Sequence, residues 1–158
     1  MFNSGFGVLA DPSIDLYPEA LRPEIDAWNA RIYPALNNGV YRAGFATTQA
    51  AYEEAYHGVF AILDELEQHL GSGKFLVGDH LTEADIRLFV TLVRFDVAYY
   101  GLFKCNRKRI ADHPALTAHL SRMLSVPSIR ETVNIDHIKQ GYYSIQALNP
   151  NGIVPLGP

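Results

Sequence analysis

A single cysteine among 158 residues excludes an internal disulfide, and with it the cross-linked scaffold of a small secreted domain. Long apolar runs are also missing: no stretch approaches the roughly 18 residues that a membrane-spanning helix needs. The opening segment Met1-Phe2-Asn3-Ser4-Gly5-Phe6-Gly7 has neither a basic region nor the apolar run of a secretory leader, so a reducing, cytoplasmic setting is expected. Basic excess is absent too. Thirteen Lys and Arg stand against 17 Asp and Glu, a net charge of −4, and neither nucleic acid nor a membrane is an expected partner. The one basic run, Lys104-Cys105-Asn106-Arg107-Lys108-Arg109, has the length of a solvated loop or helix end.

Metal and phosphate signatures are lacking as well. There is no HExxH or CxxC, His57 and His69 are too far apart on one helix, and His113 and His119 stand six residues apart, which turns them away from each other. The glycines form neither GxGxxG nor a P-loop. No metal site is expected. No strand-length alternation and no internal repeat is visible.

What is present is helical periodicity in a chain that is 48% hydrophobic and 19% charged, long enough for one domain with its own core. Residues 1–17 have no sustained period and read as an irregular lead-in. Leu21, Ile25, Trp28 and Ile32 recur at helical spacing until Pro34, and Asn37-Asn38-Gly39 then signals a turn. From Thr48 to Leu70 one face carries Tyr52, Ala55, Tyr56, Val59, Leu63, Leu66 and Leu70, and Gly71 is placed to close the helix with a positive φ. Thr82 and Asp85 have the spacing of a capping box, flanked by Leu81 and Ile86 at staple positions. The helix they open, through Ile86, Leu88, Phe89, Val90, Leu92, Val93, Phe95 and Val97, is apolar nearly all round and is expected at the centre. His113-Pro114 opens another helix bearing Leu116, Leu120, Met123 and Leu124, closed by Pro127. Ser128 and Glu131 then read as a second capping box for a last helix through Ile129, Val133, Ile138 and Tyr142. The expected architecture is all-α: a lead-in at 1–17, a helical domain at 18–143 with five or six helices around a buried central helix, and a non-helical tail at 144–158.

Side chains that could carry chemistry are few. Cys105 lies among cations that would favour its thiolate, but no base is held beside it by local spacing, and a lone cysteine in a helical domain is ordinarily a small apolar filler. Asp85 is accounted for by its cap. Arg87 and Arg94 share a face of the central helix and need acceptors if buried, for which Asp96 or helix carbonyls could serve. Tyrosine is the unusual feature. Nine occur, among them Tyr41 in a turn-rich segment and the pairs Tyr99-Tyr100 and Tyr142-Tyr143 near helix ends. A phenol joins a flat apolar ring to a hydroxyl, which suits an aromatic ligand that carries hydroxyls of its own.

The stretch Gly73-Lys74-Phe75-Leu76-Val77-Gly78-Asp79-His80-Leu81-Thr82-Glu83-Ala84-Asp85-Ile86 resembles the segment that precedes and caps the central helix of glutathione transferase C-terminal domains. Four further stretches resemble a narrower group, the glutathionyl-hydroquinone reductases or Xi-class glutathione transferases. They are Asn37-Asn38-Gly39-Val40-Tyr41-Arg42-Ala43-Gly44-Phe45-Ala46, Arg94-Phe95-Asp96 with Phe103-Lys104-Cys105-Asn106, Val133-Asn134-Ile135-Asp136-His137-Ile138-Lys139 with Tyr142-Tyr143, and the closing run from Asn149 to Pro158. The resemblance runs from about Leu16 onward.

It implies the substrate-binding and dimer-forming half of an enzyme that removes glutathione from S-glutathionylated hydroquinones, with glutathione as cosubstrate and a homodimer as the assembly. In that family a cysteine of an N-terminal thioredoxin-like domain attacks the thioether sulfur, and a second glutathione resolves the mixed disulfide. The helical domain holds the quinol ring through tyrosine hydroxyls, which match Tyr41, Tyr142 and Tyr143 here. Thr82 and Asp85 are expected to be structural. The thioredoxin-like domain is not among these residues, so the chain alone is expected to be inactive and to contain no catalytic residue. The other reading is a free-standing, non-catalytic helical interaction module with the same fold. Convergence of Tyr41 and Tyr142 on one pocket is what separates the two.

Overall fold

The computed structural model describes residues 7, 11 and 13–157, and the described residues are helices joined by turns, with no strand. Five helices of nine residues or more form the framework: α1 Arg22–Ile32, α3 Gln49–Leu70, α4 Glu83–Arg94, α5 Pro114–Leu124 and α7 Ile135–Tyr143. Two short ones, α2 Gly39–Gly44 and α6 Pro127–Arg130, lie between them. None is long and apolar enough to cross a membrane.

The core fills the space between α1, α3 and one side of α4. Ile25, Trp28 and Ile32 from α1, Val59, Phe60, Leu63 and Leu66 from α3, and Leu88 and Leu92 from α4 are all buried there. A smaller cluster of Phe89, Val93 and Met123 lies on another side of α4, with Leu81 and Ile86 packed against it. α4 is therefore central, but it is not apolar all round: Val90 is 41% exposed, and Arg87 and Arg94 share that outer side.

Helix starts follow local chemistry. The Thr48 side chain accepts from the Ala51 amide and opens α3. Thr82 and Asp85 form a capping box at the start of α4. Asp85 is its centre: one carboxylate oxygen accepts from the Thr82 amide and hydroxyl at 2.9 Å each, and the other from the Leu76 amide at 2.9 Å.

Pro34 limits the regular helix: α1 ends at Ile32, and Pro34 sits in a wider π-helical turn, Tyr33–Asn37, in which the Asn38 amide reaches the Tyr33 carbonyl, so the missing proline N–H interrupts no regular ladder. Three expectations about boundaries need correction. Asn37-Asn38-Gly39 is accordingly not a break: α2 begins at Gly39, and Tyr41 is helical rather than in a loop. Gly71 has φ −63°, because its amide bonds Glu67 and the Ser72 hydroxyl takes the His69 carbonyl, which leaves no need for a left-handed cap. Pro127 starts a helix, as the residue following the Val126 cap, which places Ser128 inside α6 where it cannot cap. The cap of α7 is instead Asn134, whose side chain accepts from the His137 amide.

Candidate functional site

Tyr41 reaches its aromatic partners because α2 lies unusually close to its neighbours. The Asn37 side-chain amide bonds the Arg87 carbonyl and the Thr91 hydroxyl of α4, which fixes where α2 begins. At its other end a Cβ on Gly44 would come within 2.4 Å of the Phe103 ring, so only glycine lets the helix sit there. Tyr41, three residues earlier, packs edge-on to that same ring, with centroids 5.3 Å apart.

A second π-helical turn, Phe95–Tyr99, continues α4 and carries Tyr99 into the core, where it is 2% exposed. π-turns of this kind are frequent at functional sites. α7 packs against this turn and delivers Tyr142. The three phenols meet: the Tyr142 hydroxyl lies 2.5 Å from that of Tyr41 and 2.7 Å from that of Tyr99. Two internal hydrogen bonds use two of the three O–H donors. One donor and several oxygen lone pairs remain for a ligand.

Tyr41 and Tyr142 line a cavity of about 530 Å³ whose walls are largely apolar, with Phe89 and Val93 from α4 and Ile138 from α7. Arg94 and His137 supply its polar rim. Burial pushes the Tyr142 phenol up to about 12, and burial with hydrogen bonding to Tyr142 raises Tyr99 further. At neutral pH Tyr99 and Tyr142 are therefore uncharged hydroxyls that hydrogen-bond without acting as bases.

The other residues singled out in the sequence lie elsewhere. Tyr143, adjacent to Tyr142 on α7, points to a separate recess with Gln140, Asn149 and Val154, and its hydroxyl abuts Gly101. Helix geometry accounts for this, since neighbouring residues do not share a face. Cys105 is fully buried, and burial pushes its thiol up to about 12, a packing residue with no activating base. Asp96 does not serve the arginines: its carboxylate takes the Ile110 and Ala111 amides at 2.6 and 3.1 Å. Arg87 pairs with Glu83, and Arg94 donates to the Val90 carbonyl. Among the described residues no cluster of three or more metal-ligating side chains occurs. Tyr99 is the member of the cluster that the sequence did not single out. The Tyr99-Tyr100 pair was visible, but only the π-turn decides which of the two faces inward.

Residues 49–122 match the family glutathione S-transferase, C-terminal domain. The whole chain is 55% identical to the glutathionyl-hydroquinone reductase PcpF of Sphingobium chlorophenolicum, of which it spans 51%. The glutathione-bound structure of YqjG, a glutathione transferase homologue from Escherichia coli K-12, superposes with a TM-score of 0.96 at 50% identity, over 100% of this chain and 52% of that one. The crystal structure of glutathione transferase Xi 1 from Trametes versicolor does so at 0.94 and 49%, over 99% and 56%. The chain thus spans about half the length of the relatives it matches. By sequence and by fold it is similar to the glutathione transferase C-terminal domains, with its resemblance running to the glutathionyl-hydroquinone reductases and Xi-class transferases.

Proposed function

We propose that this chain is the quinol-binding, dimer-forming half of an enzyme that reduces S-glutathionyl-hydroquinones with glutathione. The observation that carries this reading is the meeting of the Tyr41 and Tyr142 hydroxyls, 101 residues apart in sequence, at the edge of one largely apolar cavity. An interaction module needs no such convergence of phenol hydroxyls on a hollow. A hydroquinone needs both parts, an apolar slot for the ring and uncharged hydroxyls for its two oxygens.

In the proposed reaction a cysteine thiolate outside these 158 residues attacks the sulfur of the conjugate. The bond between sulfur and ring carbon breaks, the carbon takes the electron pair and a proton, and the quinol leaves a cysteine–glutathione disulfide behind. A second glutathione thiolate then displaces the cysteine and releases glutathione disulfide. The tyrosines keep the ring oxygens in place while its carbon becomes the leaving group, a positioning role. Cys105, buried and with its thiol held protonated, is no substitute for the nucleophile.

The test is calorimetric titration of the chain with benzene-1,4-diol, alongside an assay of the chain on a glutathionyl-hydroquinone. Binding without turnover is expected, with Tyr41→Phe and Tyr142→Phe each weakening binding about two- to tenfold through loss of one neutral hydrogen bond. Absence of binding would leave the non-catalytic module as the better reading. Sedimentation tests the dimer: a monomer at every concentration would remove that part.

A further inference from the structure

We propose that the cavity prefers hydroquinones bearing an ionised acid group on the ring, with Arg94 as the residue that recognises it. The proposal rests on the quinol-pocket reading above and narrows its substrate class.

Among the described residues that line the cavity there is no aspartate or glutamate, although the chain as a whole carries a net charge of −4. Arg94 is the permanent cation on its wall. Its situation differs from that of Arg87, two turns earlier on the same helix. Arg87 is matched by Glu83 at 2.7 Å, whereas the described hydrogen bond of Arg94 goes to a backbone carbonyl, and no described carboxylate lies within ion-pair distance of it. The nearest acid in sequence, Asp96, has both oxygens committed to the Ile110 and Ala111 amides. With one of its five N–H groups occupied, the guanidinium retains enough of its fork for a carboxylate.

The position is as informative as the vacancy. Arg94 is close enough to Tyr142 for its charge to oppose the effect of burial on that phenol. Tyr142 in turn holds the hydroxyl cluster that faces the same hollow. Arg94 and the two tyrosines border the same cavity, so a ring whose hydroxyl sits on the tyrosines lies in the hollow that the guanidinium also lines. A neutral quinol leaves this half-buried cation without a counter-charge; an ionised acid supplies one.

The experiment compares binding of benzene-1,4-diol and 2,5-dihydroxybenzoate, ionised at neutral pH, to the chain and to Arg94→Gln and Arg94→Lys. The carboxylate should bind the unaltered chain about five- to tenfold more tightly than the neutral diol, less so at high salt. Arg94→Gln should abolish that preference by weakening the carboxylate far more than the diol, and Arg94→Lys should keep part of it. Equal affinities on the unaltered chain, or a preference that survives in Arg94→Gln, would overturn the proposal and leave the quinol pocket standing. Failure of both ligands to bind would overturn the pocket reading and this proposal with it. Glutathione alone is the remaining arm: Arg94-dependent binding of the tripeptide would assign the guanidinium to a peptide carboxylate instead and overturn the ring-acid preference.

Discussion

Removing one oxygen atom from Tyr142 should reveal the hydroxyl cluster more sharply than any other single change. Tyr142→Phe keeps the ring, which packs edge-on against Tyr99 with centroids 5.3 Å apart and against Phe103 at 5.8 Å, and deletes the oxygen shared by two hydrogen bonds. The consequences are unequal. Tyr41 is 38% exposed and its hydroxyl turns to water, whereas Tyr99 is 2% exposed and keeps only Tyr41 as a poorer polar neighbour. Loss of a bond that water replaces costs about 0.5 kcal/mol, while stranding a buried hydroxyl costs about 1–3 kcal/mol. Tyr142→Phe should therefore destabilise by about 1–3 kcal/mol, and Tyr41→Phe by about 0.5–1 kcal/mol. At roughly 2–4 °C per kcal/mol for a chain of this size, Tm should fall by about 2–12 °C in the first case and about 1–4 °C in the second. Adding Tyr99→Phe to Tyr142→Phe removes the stranded group and should recover part of the loss, a positive coupling measurable by a double-mutant cycle in urea. A Tyr142→Phe protein as stable as the unaltered one, or a double variant at least as unstable as the sum of the singles, would refute the cluster as described.

Three other outcomes follow from the packing. Gly44→Ala forces a methyl to within 2.4 Å of the fully buried Phe103 ring, so overpacking should cost about 1–3 kcal/mol and weaken quinol binding by shifting Tyr41; a melt superimposable on that of the unaltered chain would contradict it. Asp85→Ala strips acceptors from the Thr82 and Leu76 amides in a fully buried site and should cost about 2–5 kcal/mol by urea unfolding, well above the cap value of about 0.5–2 kcal/mol expected for Thr82→Ala. Burial lowers His113 and His119 below the ordinary imidazole range, so the unfolded chain binds more protons than the folded one at mildly acidic pH. Stability is thus complete above about pH 6.5 and should decline as the pH falls toward 5, and a flat Tm between pH 7.5 and 5 would argue against both assignments.

Much of this protein was legible in its residues because the signals are local. The period of α3, its Thr48 cap, the Thr82 and Asp85 box and the helix opened by Pro114 each depend on side chains within one or two turns of one another. The same locality exposes the limits. Gly71 and Ser128 were assigned roles from spacing, and both were displaced by a neighbour only a residue away, the Ser72 hydroxyl and Pro127. What tertiary structure alone decided is the site. Tyr41 and Tyr142 stand 101 residues apart and become partners because Gly44 lets α2 approach Phe103 while α7 packs on the π-turn after α4. Tyr99 faces inward and Tyr143 away from the cavity because a π-turn and a helix phase, which composition and spacing do not encode, set the direction of each ring. Arg94 is an unmatched cation only because Asp96 is drawn to amides 14 and 15 residues further on. Helical periodicity determines which elements form and which face of each is apolar; the close approaches that bring polar groups together are settled by packing among elements distant in the chain.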